Sequence, residues 1–238
     1  VYQFAEHTSV ESLAEYGRGL VLDHYFSRDD VIRWLRRFDL PKVAKLLQDR
    51  IPDAGTTVRT GDVAEMLAVD YAEKSLGLTV PIRKLRYRSA RNVAMFGDDA
   101  LGLEIIDGRL FILRVEAKNY SSFSLGDLQH IYDAMSSSNF LPTEDTLAFT
   151  AKLLNDETVR DLVEGLQARG DLETIDLSLM MFVVYENEHS ASNVSSLPAS
   201  RFLWPFLAAI GVCLPERKRV ESLMYDLPLL IEDAKQHE

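Results

Sequence analysis

The dipeptide Asp107-Gly108, set between the apolar runs ALGLEII (100–106) and RLFILRVEA (109–117), constrains this chain more than any other feature. Such a pair supplies the two left-handed positions of a tight hairpin turn, so the flanking runs pair antiparallel and each residue's partner follows by counting outward. Asp99 lies eight residues before Asp107, and Glu116 lies eight after Gly108. The two carboxylates therefore stand nearly opposite each other across the ladder. Asp98 shares the same strand start, and the placement opposite Glu116 favours Asp99 over it. Period-2 alternation puts Glu116 and Lys118 on one face and Ala117 on the other.

Around this hairpin the 238 residues are 47% apolar and 26% charged, as expected of one compact domain or a domain with an appendage. A single cysteine, Cys213, makes neither a disulfide nor a Cys-rich zinc cage and points to a reducing compartment. No apolar run approaches the roughly 20 residues of a membrane span, and VYQFAEHTSVES lacks signal-peptide order. A cytoplasmic protein without a membrane partner is expected, its start trimmed because no initiator Met is present. The net charge of −11 at first argues against nucleic acid. It is unevenly spread, with 18 basic and 18 acidic residues before position 120 and 8 against 19 after it. Two faces with different partners, or simply an acidic solvated surface, would produce this asymmetry.

Helical spacing over residues 9–51, broken at Ser27-Arg28-Asp29-Asp30 and Pro41, predicts an N-terminal helical cap, assigned to 1–56. Thr60-Gly61-Asp62 offers an N-cap to a helix over about 62–76 that Gly77 ends. Strands are predicted at 79–88, 100–106, 109–117 and 175–185. Helices are predicted at 127–135 and 156–169, and amphipathic helix from Pro198 onward, broken at Pro205, Pro215 and Pro228. The expected fold is α/β, a mixed sheet core over 57–238 flanked by helices, with a helical C-terminal region.

Two carboxylates a few ångströms apart repel unless something positive sits between them. A hard cation, Mg²⁺ or Mn²⁺, does this with one or two carboxylates, a neighbouring carbonyl and waters. Lys118 on the same face is placed to orient or deprotonate a water, or to stabilise charge developing on a phosphate. Such a site suits metal-assisted phosphodiester hydrolysis. Strand-end charges are commonly mere solvated surface, but the apolar run Leu110–Leu113 beside Val115 marks a central strand, where they are less usual. Glu65, on the helix before the sheet, is positioned to add a water-mediated contact.

These residues resemble the PD-(D/E)xK nuclease superfamily: Gly61-Asp62-Val63-Ala64-Glu65 on a helix, then Gly97-Asp98-Asp99-Ala100-Leu101-Gly102, then Glu116-Ala117-Lys118. The resemblance implies a restriction-endonuclease-like core cutting DNA, with Asp99 and Glu116 as metal ligands, Lys118 as catalytic lysine and Glu65 as auxiliary acid. No Pro precedes the Asp; Gly97-Asp98 stands in that place. More narrowly, GDDALGLE, EAKNY and the chain's size are similar to the HamA-like nuclease subunit of Hachiman anti-phage systems, which implies a helicase partner. Gln129 and Tyr132 resemble the Gln and Tyr of a RecB-like DNA-contacting motif, with QxxY in place of QxxxY.

Lys84, Arg86, Arg88 and Arg91, with Arg83, form a basic run without an acid. On a strand, Lys84, Arg86 and Arg88 share a face, and the run is the best candidate phosphate track; a solvated edge strand explains it nearly as well. Arg33, Arg36 and Arg37 offer a second basic patch on the N-terminal helices, where solvated helix surface is the stronger reading. No two histidines have metal-ligand spacing, and neither a GxSxG serine nor a phosphate-cradling Gly loop is present. The rival from another class is a nuclease-like module that binds DNA or a protein partner without cutting.

Overall fold

A computed structural model describes residues 2–3, 9–138, 140–168, 175–186, 207–214 and 216–236. Its sheet is mixed and five-stranded: β1 (Tyr2–Gln3), β2 (Ala100–Ile106), β3 (Arg109–Tyr120), β4 (Ile175–Tyr185) and β5 (Leu207–Cys213), in the order β1-β5-β4-β3-β2. The β2–β3 pair is antiparallel and the others are parallel. Ile106 pairs with Arg109 and Ala100 with Val115, so the register is the one counted outward from Asp107-Gly108. Both turn residues have positive φ, 51° and 77°, the backbone a two-residue hairpin requires.

The helices among the described residues are α1 (Val10–Tyr25), α2 (Arg28–Arg37), α3 (Leu40–Gln48), α4 (Thr57–Lys74), α5 (Leu125–Ser136), α6 (Glu144–Leu153), α7 (Glu157–Gln167), α8 (Arg217–Met224) and α9 (Leu227–Gln236). Ser27, Asp39 and Thr143 cap their helices by accepting an amide of the first turn. At α5, Ser124 and Asp127 cap reciprocally. The 9–51 helices form as predicted, but they share one core with the sheet. Leu13, Val21 and Val43 lie in the same buried cluster as Val63, Met66 and Leu67 of α4 and Val115, Phe182 and Val184 of the sheet. On the opposite face, Met181, Val183 and Tyr185 meet Leu128, Ile131 and Met135 of α5. Leu110 and Ile112 meet Leu147 and Ala151 of α6 and Val163 and Leu166 of α7. Each fully buried aliphatic side chain in these layers contributes roughly 1.5–3 kcal/mol. With both faces covered, β4 is a continuous apolar run where a half-exposed strand would alternate.

Three expectations are corrected. Residues 79–88 are not a strand: only Thr79 bridges, to Leu103, and Lys84–Tyr87 is a 3-10 turn. Helix α4 starts one turn before the Thr60-Gly61-Asp62 signal, because Thr56 is the residue whose hydroxyl accepts from Arg59 N. Leu207–Cys213 is a strand where amphipathic helix was expected; a seven-residue apolar run does not separate the two by period. Pro228 sits in the first turn of α9, where a missing N–H costs nothing. The remaining C-terminal breaks, Pro205 and Pro215, and the predicted start at Pro198 lie outside the described residues.

Candidate active site

Strand β3 outruns its hairpin partner. Its last pairing with β2 is Val115 to Ala100, while its pairing with β4 continues to Tyr120. Residues 116–120 thus lack a ladder partner on the β2 side, and side chains take up the backbone groups of Ala117. Ala117 N donates to Asp99 Oδ2 at 2.7 Å, which fixes Asp99 across from Glu116. The Lys118 ammonium is held by three oxygens: Glu116 Oε1, to which it donates, Ala117 O at 3.2 Å, and Asp99 Oδ2 at 3.8 Å. Lys84 enters from the other side of Asp99. It donates to Asp98 O at 3.0 Å and lies 3.4 Å from Asp99 Oδ1 and 3.5 Å from Glu65 Oε2. The result is an alternating row, Glu65, Lys84, Asp99, Lys118, Glu116.

The row is only partly solvated, and its protonation follows. Burial raises Glu65 to about 8 against the attraction of Lys84, so at neutral pH it is mostly a neutral acid. Burial, then the charge of Asp99, raise Glu116 above the ordinary carboxylate range. Burial works against the ammonium of Lys118, but Asp99 and Glu116 outweigh it and hold its pKa above the usual lysine value. Lys84 behaves likewise between Glu65 and Asp99. Both lysines are therefore cations, suited to stabilising negative charge and poorly suited to removing a proton.

Asp98 goes elsewhere. Its Oδ1 accepts from Arg114 Nε at 2.7 Å and its Oδ2 from Thr143 N at 2.8 Å, and its own amide donates to Thr146 Oγ1. Arg114 completes the lock by donating to Ser138 Oγ and Leu141 O. Gly97 (φ 91°) allows the approach, because a β-carbon there would collide with Thr146 Oγ1. Gly97 thus makes room for the Thr146 contact that helps hold Asp98.

The basic run disperses once it is not a strand. Lys84 turns into the row. Arg86 donates to Asp23 O, Arg88 forms a buried pair with Asp62, and Arg91 pairs with Asp53. Lys84 and Arg88 both line the cavity beside the row, while Arg86 and Arg91 do not. Gln129 donates to Asp133 on its own helix, and no contact brings it to the acidic row. Sequence reasoning missed Asn119, which donates to Thr60 O and accepts from Arg217 Nη1, tying the overhang of β3 to α4 and α8. Nothing in its local sequence signals those partners, which are distant in the chain.

Among the described residues no group of three His, Cys, Asp or Glu side chains is arranged around one cation position. The donor set still fits a hard ion. Two carboxylates and the Ala117 carbonyl already surround one positive charge, the Lys118 ammonium, and Mg²⁺ and Mn²⁺ keep several waters beside one or two carboxylates. Glu65, Lys84, Asp99 and Lys118 of the row, with Ala117, line a cavity of about 430 Å³ whose other wall is the first turns of α4, from Thr56 to Glu65. A helix N-terminus there favours anions.

A family model described as HamA matches residues 2–201. A search of curated proteins finds no match.

Proposed function

Because the chain belongs to the HamA family, which is associated with the multi-subunit Hachiman anti-phage defence system, we propose that it is a metal-dependent DNA nuclease working beside a helicase. One observation carries the reading: Asp99, Glu116 and the Ala117 carbonyl converge on a single cationic position, the Lys118 ammonium, where β3 outruns β2 beside a cavity. A solvated strand end needs no such convergence, and a surface that only binds phosphate gains nothing from two carboxylates facing it.

Asp99 and Glu116 would hold Mg²⁺ or Mn²⁺, with Ala117 O as a third oxygen. The ion supplies Lewis acidity toward the phosphoryl oxygen and toward water. The net step joins a water oxygen to phosphorus and breaks one phosphorus–ester bond, and the water's proton ends on the departing alkoxide. Lys118, kept cationic by its neighbours, stabilises the charge that builds on the non-bridging oxygens. Lys84 offsets the charge of Asp99 from behind, and the first turn of α4 faces the incoming phosphate. Glu65, mostly protonated at neutral pH, acts as a neutral donor to water.

The test is cleavage of supercoiled and linear DNA by the chain alone and with the partner helicase, in Mg²⁺, Mn²⁺ or EDTA, beside Glu116→Gln and Lys118→Met. Metal-dependent cleavage lost in both variants is expected. Cleavage in EDTA, or cleavage that survives either substitution, overturns the mechanism. DNA binding without cleavage under all conditions favours a silent binding module.

A further inference from the structure

A second cavity of about 320 Å³ lies on the far side of Asp99, between the 87–96 loop and α6. It shares Lys84, Ala94, Met95 and Asp99 with the cavity described above, so the two flank one carboxylate. They differ in what each adds to those shared residues. The first adds hydroxyls, charges and a helix N-terminus, while the second, though Asp98, Asp145 and Thr146 also reach it, adds the aromatic wall of Tyr87, Phe96 and Phe149 with Val93.

Its aromatic lining is costly to leave in water. Phe96 is 87% exposed, Val93 48% and Tyr87 47%, so three of the large exposed apolar residues fall within ten positions of one loop. Clustered exposed apolar surface marks a binding site, whereas scattered residues do not. Tyr87 and Phe149 meet edge to face, with centroids 5.1 Å apart at 83°, and so form a preorganised wall. The volume is at the lower end of small-ligand pockets, roughly 300–1,000 Å³. That accommodates a planar heterocycle but not a duplex.

We propose that this cavity is a nucleobase subsite that takes the unpaired base beside the scissile phosphate, which makes single-stranded DNA the preferred substrate class. The proposal rests on the nuclease reading of the Asp99–Glu116 centre and adds what that centre cuts. The two cavities meet at Lys84, Ala94, Met95 and Asp99, so a phosphate held in one has its adjoining base directed to the other. A paired base would first have to leave its stack, whereas an unpaired one stacks on the aromatic lining directly. The polar cavity supplies sequence-independent attraction, and the apolar one supplies the choice of strand state.

The experiment uses the full chain in EDTA with a single-stranded oligonucleotide carrying 2-aminopurine, the same oligonucleotide in duplex, and one with abasic positions. Stacking on the aromatic lining is expected to quench 2-aminopurine in the single strand only. Binding should favour the single strand over the duplex and over the abasic strand by about tenfold. Phe96→Ala should bring both preferences close to unity; because Phe96 is so exposed, the substitution leaves the core untouched, and Tyr87→Ala provides a second variant. Equal affinity for single strand and duplex, absence of quenching, or preferences unchanged in both variants overturns the subsite. Cleavage separates the two ideas: activity that needs Glu116 but ignores Phe96 retains the nuclease and removes the subsite. Base-dependent quenching lost in Phe96→Ala without any cleavage retains the subsite and removes the nuclease.

Discussion

Asp98 and Asp99 are neighbours in sequence, yet they anchor two charge networks of opposite character. Around Asp98 the charges are enclosed: its side chain and that of Arg114 are 1% and 5% exposed, and each carboxylate oxygen of Asp98 has a donor at close range. Around Asp99 the ion pairs are longer, 3.4 and 3.8 Å, and the partners line cavities. The closed network joins the hairpin to the α5–α6 connection and holds the strand start still. The open network is held by longer, partly exposed ion pairs whose members line a cavity, which is the condition for receiving an ion and a phosphate. Rigidity on one side holds the looser pairs of the other in place.

The contrast breaks most visibly if the closed side proves dispensable. Arg114→Ala leaves the Asp98 carboxylate buried without its cation and is expected to cost about 3–5 kcal/mol of stability, read as a large drop in the denaturant midpoint. A variant as stable as the wild type would show that the two networks do not differ in kind. On the open side, Asp99→Asn should lower cleavage by about 10²–10³-fold while the melting temperature holds or rises, since one of two repelling carboxylates is gone. A comparable loss of fold in Asp99→Asn would erase the distinction.

A smaller effect sharpens it. Glu65 is raised from 4.5 to about 8 by burial, so between those values the unfolded chain is ionised there and the folded chain holds a proton. Its contribution is greatest below pH 4.5, falls as pH rises, and is flat above about 8. Glu65→Gln should remove that slope and stabilise the protein relative to wild type at alkaline pH, on the order of a few kcal/mol at most. Smallest is His24, held well below its usual 6.5 by burial and then by Arg83 and Arg86. The unfolded chain takes up a proton below pH 6.5 that the folded chain refuses, so stability should decline with acidification from there, by at most about 1.4 kcal/mol per pH unit. His24→Gln should flatten that decline in melting scans between pH 6.5 and 5.

What the sequence revealed follows the range of the forces involved. The β2–β3 register was legible because a two-residue turn specifies it locally, and with it the meeting of Asp99, Glu116 and Lys118. The division of labour between Asp98 and Asp99 was favoured by counting but decided by Arg114, Thr143 and Thr146, which no local pattern ties to Asp98. The basic run was misplaced because Thr79 to Arg88 has a strand-like composition, yet its side chains are claimed one at a time by Asp23, Asp62 and the acidic row. That Lys84 alone among them turns into the row is a tertiary fact. Leu207–Cys213 was misread because a seven-residue apolar run carries no alternation that distinguishes a strand from a helix.

The most direct measurement is a Mn²⁺ titration followed by electron paramagnetic resonance on the wild type, Asp99→Asn and Glu116→Gln. One Mn²⁺ per wild-type chain, weakened at least tenfold by either substitution, is the expected result. Mn²⁺ bound equally by all three proteins, or by none, would contradict a hard-cation centre at the overhang of β3.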